Sequence, residues 1–301
     1  MTDQTSRFAG CLLGLAVGDA VGTTVEFKPR GSFEPVTDMT GGGPFGLEPG
    51  QWTDDTSMAL CLAASLIETG EFSPDDQMER YCRWQGEGYM SSNGTCFDIG
   101  GTVSQALARY RQTGNPYSGS SSEWSAGNGC IMRLAPVPMY FWRDREKAVG
   151  FSNLSSRTTH AAEECVNACR LFGWQLFKAL SGGSKEDVLF DNRQLTELPE
   201  KISEIALGTY RKKSTEEIFG TGYVVQSLEA ALWCFHTTDS FKDAILTAVN
   251  LGNDADTTAA VCGQIAGAYY GVEGIPAHWL ERLSMSVEIR EMSVALRDGD
   301  G

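Results

Sequence analysis

Apolar residues run almost unbroken through "SMALCLAASLIE" (57–68), a pattern with no polar face that predicts a helix buried on all sides. Gly70 follows as its C-terminal stop. A second such run, "TTAAVCGQIAGAYY" (257–270), carries small residues at Ala259, Ala260, Gly263, Ala266 and Gly267 and predicts another buried helix. Residues 7–18 place Gly10, Gly14 and Gly18 four apart, a small-residue ridge along which another helix can approach closely. Helical periodicity also marks 99–112, 160–180, 198–211, 224–235 and 240–249. Strand-type alternation is scarce, with "EPVTDM" (34–39) the best short candidate. The Gly/Ser-rich stretch 113–127 and the charged stretch 181–196 are the least patterned, and neither separates independent domains. The expectation is a single all-α domain over residues 1–301, with loops on its rim and no internal repeat.

Charge narrows the function classes. The 24 basic and 39 acidic side chains give a formal net charge of -15, which excludes a protein that holds nucleic acid by electrostatics. A small anionic ligand stays open, because local amides and metals can overrule the global sign. No C-x-x-C pair occurs among the nine cysteines, and Cys11, Cys61, Cys130, Cys234 and Cys262 sit in apolar stretches. They read as reduced, buried thiols of a cytoplasmic protein. "RFAGCLLGLAVGDA" superficially resembles a lipoprotein signal, but its apolar run follows Cys11 instead of preceding it. No segment reaches the roughly 20 apolar residues of a membrane span, so a soluble protein is expected.

Two polar clusters stand at the mouths of the two most apolar helices. "GQWTDDTSMAL" (50–60) sets Thr53, Asp54, Asp55 and Thr56 before the first, and "LGNDADTTAAV" (251–261) sets Asp254, Asp256, Thr257 and Thr258 before the second. Either alone reads as a helix cap, since Asp and Thr accept from free N–H groups. Capping needs one oxygen, however, and adjacent carboxylates repel unless a positive charge offsets them. The pair of clusters offers four carboxylates and hydroxyls with no His or Cys, a hard-oxygen set suited to Mg²⁺ or Mn²⁺ instead of zinc.

The order "GCLLGLAVGDAVGTTVEF", "WTDDTSM", "FDIGGTV", "GNGCIMR", "TTHAAEECVNAC", "GTGYVVQSLEAALWCF" and "NLGNDADTTAAVCGQIAGAYYG" resembles the ADP-ribosylglycohydrolase family. The resemblance runs from about Phe8 to "IPAHWLERL" (275–283). It implies an all-α orthogonal bundle with two Mg²⁺ or Mn²⁺ ions and hydrolysis of the bond between ADP-ribose and a protein side chain. By motif, the implied metal ligands are Thr53, Asp54, Asp55, Asp254, Asp256 and Thr257, with Asp256 the bridge, and Glu26 matches the catalytic glutamate. "SAGNGCIMR" (125–133) resembles the family's ligand loop, so Ser125, Gly127, Asn128 and Gly129 are implied contacts of ADP-ribose. Asp98 matches a position near the substrate ribose, with capping of the helix near Gly101 the alternative. His160 matches a ligand-side histidine, with a structural role the alternative. Asp19 either caps or braces the turn after the glycine-rich helix, with a direct catalytic role the alternative. Arg133 meets either a phosphate or a structural ion pair, and Trp124 and Trp52 either wall the cleft, stacking adenine, or pack in the core. Cys130 departs from the small residue that relatives carry after "GNG", and 181–220 matches nothing specific.

The expected partners are a mono-ADP-ribosylated protein as substrate and ADP-ribose as product, with arginine-linked ADP-ribose first and serine-linked or other derivatives as the alternative. A non-enzymatic, crystallin-like or ADP-ribose-binding member of the fold is a further alternative. Retention of Glu26 with all six ligands argues against it.

Overall fold

In the computed structural model, residues 3–299 are described, and they form fourteen α-helices with no strand among them. The first half holds α1 (Gln4–Gly22), α2 (Asp54–Thr69), α3 (Pro74–Glu87), α4 (Gly101–Thr113), α5 (Pro136–Tyr140), α6 (Arg145–Thr159) and α7 (Glu163–Leu180). The second holds α8 (Lys185–Phe190), α9 (Glu200–Ala206), α10 (Val224–Thr237), α11 (Phe241–Val249), α12 (Ala255–Tyr270), α13 (Ala277–Arg282) and α14 (Ser286–Asp298). One continuous apolar cluster runs through them from Phe8 to Leu296.

The predicted ridge on α1 is the axis of the fold. A Cβ built on Gly10 would lie 2.3 Å from Gly267 O, one on Gly14 2.4 Å from Gly263 O, and one on Gly18 2.1 Å from Ala259 O. The pairing number falls on α12 as it rises on α1, so the two helices pack antiparallel with their backbones touching. The C-terminal end of α1 is thereby laid on the N-terminal end of α12. Some 230 residues of sequence separation close at this one contact.

α1 passes a length-and-hydropathy test for a membrane helix over Gln4–Val25, contrary to the expectation that no segment would, but 94% of that window is buried inside the bundle. Its apolar surface is covered by protein.

Several helices lacked the expected stripe. In α6 the buried face is Ser152, Ser155, Ser156, Thr158 and Thr159, small hydroxyl side chains that pack closely and leave no apolar pattern. Against it, a Cβ on Gly173 of α7 would meet Ser152 Oγ at 2.3 Å. His160 therefore ends α6 as its C-cap instead of beginning the next helix, which starts at Glu163. In the stretch 181–196, Ser184 and Asp187 form a capping box that starts α8. The expected helix 198–211 stops at Ala206 and continues as a 3₁₀ turn over Thr209–Lys212. "EPVTDM" forms no strand: the Val36 N–H and C=O both bond the side-chain amide of Asn250, at 2.8 and 3.0 Å, which stands in for a neighbouring strand.

Candidate active site

The α1–α12 contact and the start of α2 meet in a cluster of carboxylates. Asp19, on the last turns of α1, is fully buried and accepts four hydrogen bonds from the first turn of α2. Its Oδ1 takes the Thr53 N–H and hydroxyl, both at 2.9 Å, and its Oδ2 takes the Thr56 N–H at 3.0 Å and hydroxyl at 2.6 Å. Asp19 thus caps α2 from another helix. The Thr53 and Asp254 side chains cap neither of their helices. The two motifs therefore do not spend their leading side chains on capping; the Thr53 hydroxyl bonds Asp19 and Asp254 Oδ2 accepts from Asn128.

These oxygens converge. Carboxylate oxygens of Asp19, Asp55 and Asp256 all lie within 4.8 Å of one another, as do those of Glu26, Asp98 and Asp256. The Thr53 hydroxyl also lies 3.1 Å from Asp55 Oδ2 and 3.4 Å from Asp256 Oδ2, and the Thr257 hydroxyl lies 3.5 Å from Asp55 Oδ2. Glu26 Oε2, Asp55 Oδ1 and Asp256 Oδ1 are buried with no hydrogen-bond partner. Buried acceptors are normally paired, so three orphans in one cluster mark a missing positive partner.

Electrostatics agree. Burial, reinforced by the charges of Asp98, Asp254 and Asp19, raises Glu26 to about 9. Burial, with Asp19 and Asp254, raises Asp98 to about 7, and burial raises Asp19 to about 6 despite its four donors. Asp54, Asp55 and Asp256 are pushed well above the usual carboxylate range by burial and by each other. A divalent cation is the chemistry that relieves all of these at once, and an all-oxygen set fits a hard ion.

The cluster opens into a cavity of about 380 Å³. Glu26, Asp54, Asp98, Asp254, Asp256 and Thr257 form one side, and Gly127, Asn128, Gly129 and His160 form the other. Asn128 ties the two sides together, donating from Nδ2 to Asp254 Oδ2 at 2.8 Å. Asp98 has a left-handed φ of 58° and does not cap α4, whose N-cap is Gly100, so its carboxylate belongs to the acidic side. Ser125 stands apart: it lines a second cavity of about 570 Å³ that shares Thr102, Gly127 and Gly222 with the first. Trp124, 91% exposed, and Tyr223 are the aromatic walls of that outer space, whereas Trp52 is core.

His160 supports the loop from beneath. Its Nδ1 lies 2.9 Å from the Thr159 hydroxyl, and a Cβ on Gly129 would meet its ring at 2.8 Å. Burial, with Arg133 nearby, lowers it to about 4, so it is neutral at pH 7. Among the described residues, the hydrogen-bond partners of Arg133 are Met58, Gly129, Ser155, Thr158 and Thr159, none of them a carboxylate, and it lines neither cavity. It is fully buried, donating to Gly129 O at 2.9 Å and the Thr159 hydroxyl at 2.6 Å, with Tyr81 stacked on its guanidinium. Both sequence alternatives for Arg133, a phosphate contact and an ion pair, therefore give way to a loop support. Cys130 also lies under the loop, its thiol 3.8 Å from Gly127 O, where Cys165 donates at 3.3 Å. Capping was one of the roles the sequence allowed Asp19, but it did not show that the helix capped is α2. Thr102 and Gly222 went unnoticed as cavity residues.

The ADP-ribosylglycohydrolase family model matches residues 1–300. The chain belongs to this family. The ADP-ribosylarginine hydrolase Tri1 of Serratia proteamaculans (strain 568) is 43% identical over 295 residues, covering 98% of this chain and 80% of that protein. Its counterpart in Pseudomonas putida (strain GB-1) is 45% identical over 293 residues, covering 97% of this chain and 78% of the relative. The ADP-ribosyl-[dinitrogen reductase] glycohydrolase of Rhodospirillum rubrum is 34% identical, covering 94% and 92%. A solved structure described as an ADP-ribosylglycohydrolase-related protein complex superposes with a TM-score of 0.89 at 40% identity over the full length of both chains. The all-α fold and the glycohydrolase assignment expected from the motifs both hold.

Proposed function

We propose that this chain hydrolyses the bond between ribose C1″ of ADP-ribose and a guanidinium nitrogen of a modified protein arginine. The observation that carries this reading is the set of buried, partnerless carboxylate oxygens of Glu26, Asp55 and Asp256, opening on a cavity whose far wall is an amide-rich loop. Two Mg²⁺ or Mn²⁺ ions would be held by Thr53, Asp54, Asp55, Asp254, Asp256 and Thr257. Bound there, such cations supply charge neutralisation and Lewis-acid polarisation of oxygen.

The chain's own residues do the rest. Gly127, Asn128 and Gly129 form the wall that the diphosphate would approach, with the Gly127 and Asn128 N–H groups already bonded to Ser125 O and Gly222 O, and Asp98 stands where ribose hydroxyls can donate to it. Ser125 and His160 complete the contacts, the first at the outer cavity and the second beneath the loop. The aromatic outer cavity, between Trp124 and Tyr223, suits the adenosine half. Glu26 holds and moves the proton. Part of its raised affinity comes from neighbouring carboxylates, which cations would cancel, but the largest cause is burial, which they would leave. As water oxygen joins C1″ and the C1″–N bond breaks, the proton that the water gives up passes by way of Glu26 to the leaving guanidine, which departs as guanidinium.

Arginine is favoured as the acceptor because its guanidinium is the cationic end of an otherwise anionic ADP-ribosyl group, and that end meets the carboxylates of the site. The names of the Serratia and Pseudomonas relatives support the same linkage. We read residues 1–301 as a single domain, and nine unbridged thiols suit a reducing compartment such as the cytoplasm. The test is release of ADP-ribose from an arginine-linked peptide with Mg²⁺ or Mn²⁺, abolished by EDTA. Release from a serine-linked peptide alone would overturn the linkage, and release from neither would overturn the hydrolase reading.

A further inference from the structure

Among the described residues, Lys201 is the one Lys or Arg lining either cavity. It lies in the stretch 181–220, which carries none of the motifs. Its position invites a role as a phosphate hook, but its partners say otherwise. The ammonium is 2.9 Å from the Glu164 carboxylate and donates to Tyr223 Oη at 2.7 Å. Tyr223 Oη donates in turn to Glu164 at 2.6 Å. The three side chains form a closed ring of polar contacts from three elements: the first turn of α7, α9, and the residue preceding α10. A cation neutralised this way has little attraction left for an anion.

What the ring does is fix an aromatic plane. Two hydrogen bonds at Oη hold the oxygen in place and so fix χ1, and the in-plane preference of a phenol's hydrogen bonds restrains χ2. The backbone beside it is tied to the binding loop, with the Val224 N–H bonded to Ala126 O and the Asn128 N–H to Gly222 O, both at 3.0 Å. Trp124, across the same cavity, has no such brace: it is 91% exposed, and only its backbone N–H is bonded. One wall is therefore set before a ligand arrives, and the other is free to follow it.

We propose that Lys201 and Glu164 are positioning residues that hold Tyr223 as a preformed platform for the adenosine half of ADP-ribose, setting affinity for the substrate and not the rate of bond cleavage. This rests on the ADP-ribose reading of the joined cavities. Pre-organising a side chain lowers the cost of ordering it on binding, an effect on the order of two- to tenfold in affinity.

The test uses the full chain with AMP and ribose 5-phosphate as probes of the two halves. Lys201→Met is expected to weaken AMP by about two- to tenfold, leave ribose 5-phosphate unchanged, and raise KM for the arginine-linked peptide at constant kcat. Lys201→Arg, which keeps a donor to both partners, is expected to restore AMP affinity. Tyr223→Phe keeps the ring but loses its tethers, so it is expected to weaken AMP similarly and to add nothing in the double variant. Wild-type AMP affinity in Lys201→Met, or a fall in kcat at constant KM, would overturn the positioning role. A wild-type protein that binds ribose 5-phosphate but not AMP would instead remove adenosine from the outer cavity. Failure to bind either probe or ADP-ribose would point to the underlying reading of the site.

Discussion

A β-carbon on Gly22 would lie 2.4 Å from the Cα of Asp256. That contact is the last rung of the α1 ridge, and it fixes how near Asp256 stands to Glu26, four residues beyond Gly22. Gly22→Ala is expected to force the helix ends apart, at a cost of about 1–3 kcal/mol, and to weaken Mg²⁺ binding in the same variant. Gly86→Ala is the control: nothing lies within 4 Å of its added β-carbon. Thermal unfolding and Mg²⁺ titration check both, and a Gly22→Ala protein as stable as Gly86→Ala would remove the ridge from the account.

Asp19 carries the second contact that assembles the site. Its two oxygens accept four donors from Thr53 and Thr56, which an amide nitrogen at either position cannot do. Asp19→Asn is expected to lose about 1–3 kcal/mol of stability through stranded donors. It should also loosen the start of α2, so Mg²⁺ affinity and turnover fall together in protein that is still folded. Wild-type melting with wild-type Mg²⁺ affinity would show that Asp19 braces nothing.

The parts legible in the sequence and the parts hidden there divide along physical lines. The Gly10, Gly14 and Gly18 stripe announces a close helix approach, but periodicity alone does not say that α12 is the partner; that takes Gly263 and Gly267 facing them in register. The acidic clusters are visible because repulsive neighbours need a reason, and the fold adds that Asp55 and Asp256 each keep a buried oxygen without a hydrogen-bond partner among the described residues. α6 was invisible because its buried face is serine and threonine, which a hydropathy pattern counts as polar. The brace on Tyr223 was equally hidden, since Glu164, Lys201 and Tyr223 are brought together only by the fold.

The carboxylate cluster makes stability depend on pH in an unusual direction when cations are absent. Glu26 at about 9, Asp98 at about 7 and Asp19 at about 6 all lie above the roughly 4 of an unfolded carboxyl. Between these limits the folded state binds more protons than the unfolded one, so stability falls as pH rises through the window. The melting temperature in EDTA is expected to drop from pH 5 to pH 9, and saturating Mg²⁺ should flatten that slope by binding the deprotonated cluster. A melting temperature that climbs with pH in EDTA contradicts the buried cluster.

Asp256 separates stability from function. Its Oδ1 is buried without a partner and its carboxyl is raised by burial and by Glu26, Asp55 and Asp254. Asp256→Asn removes one charge from that repulsion, so the cation-free protein is expected to become more stable while Mg²⁺ binding and turnover are lost. Calorimetry with and without Mg²⁺ reads both effects. Unchanged Mg²⁺ affinity would take Asp256 out of the ligand set.

Glu26 is the sharpest case, because binding and chemistry should come apart there. It is 3% exposed, reaches the cluster from the turn after α1, and its Oε2 has no partner. Glu26→Gln preserves the volume of the side chain and cannot exchange a proton. ADP-ribose affinity is therefore expected to stay within a fewfold of wild type, whereas turnover of the arginine-linked peptide falls by about 10²–10⁴, the usual worth of a positioned acid or base. The two results are needed together. Loss of ADP-ribose binding with loss of turnover would make Glu26 a ligand of the cluster instead of the proton carrier. Full turnover in the variant would move the proton transfer to another raised carboxyl facing the same cavity, of which Asp98 is outside the implied metal ligands.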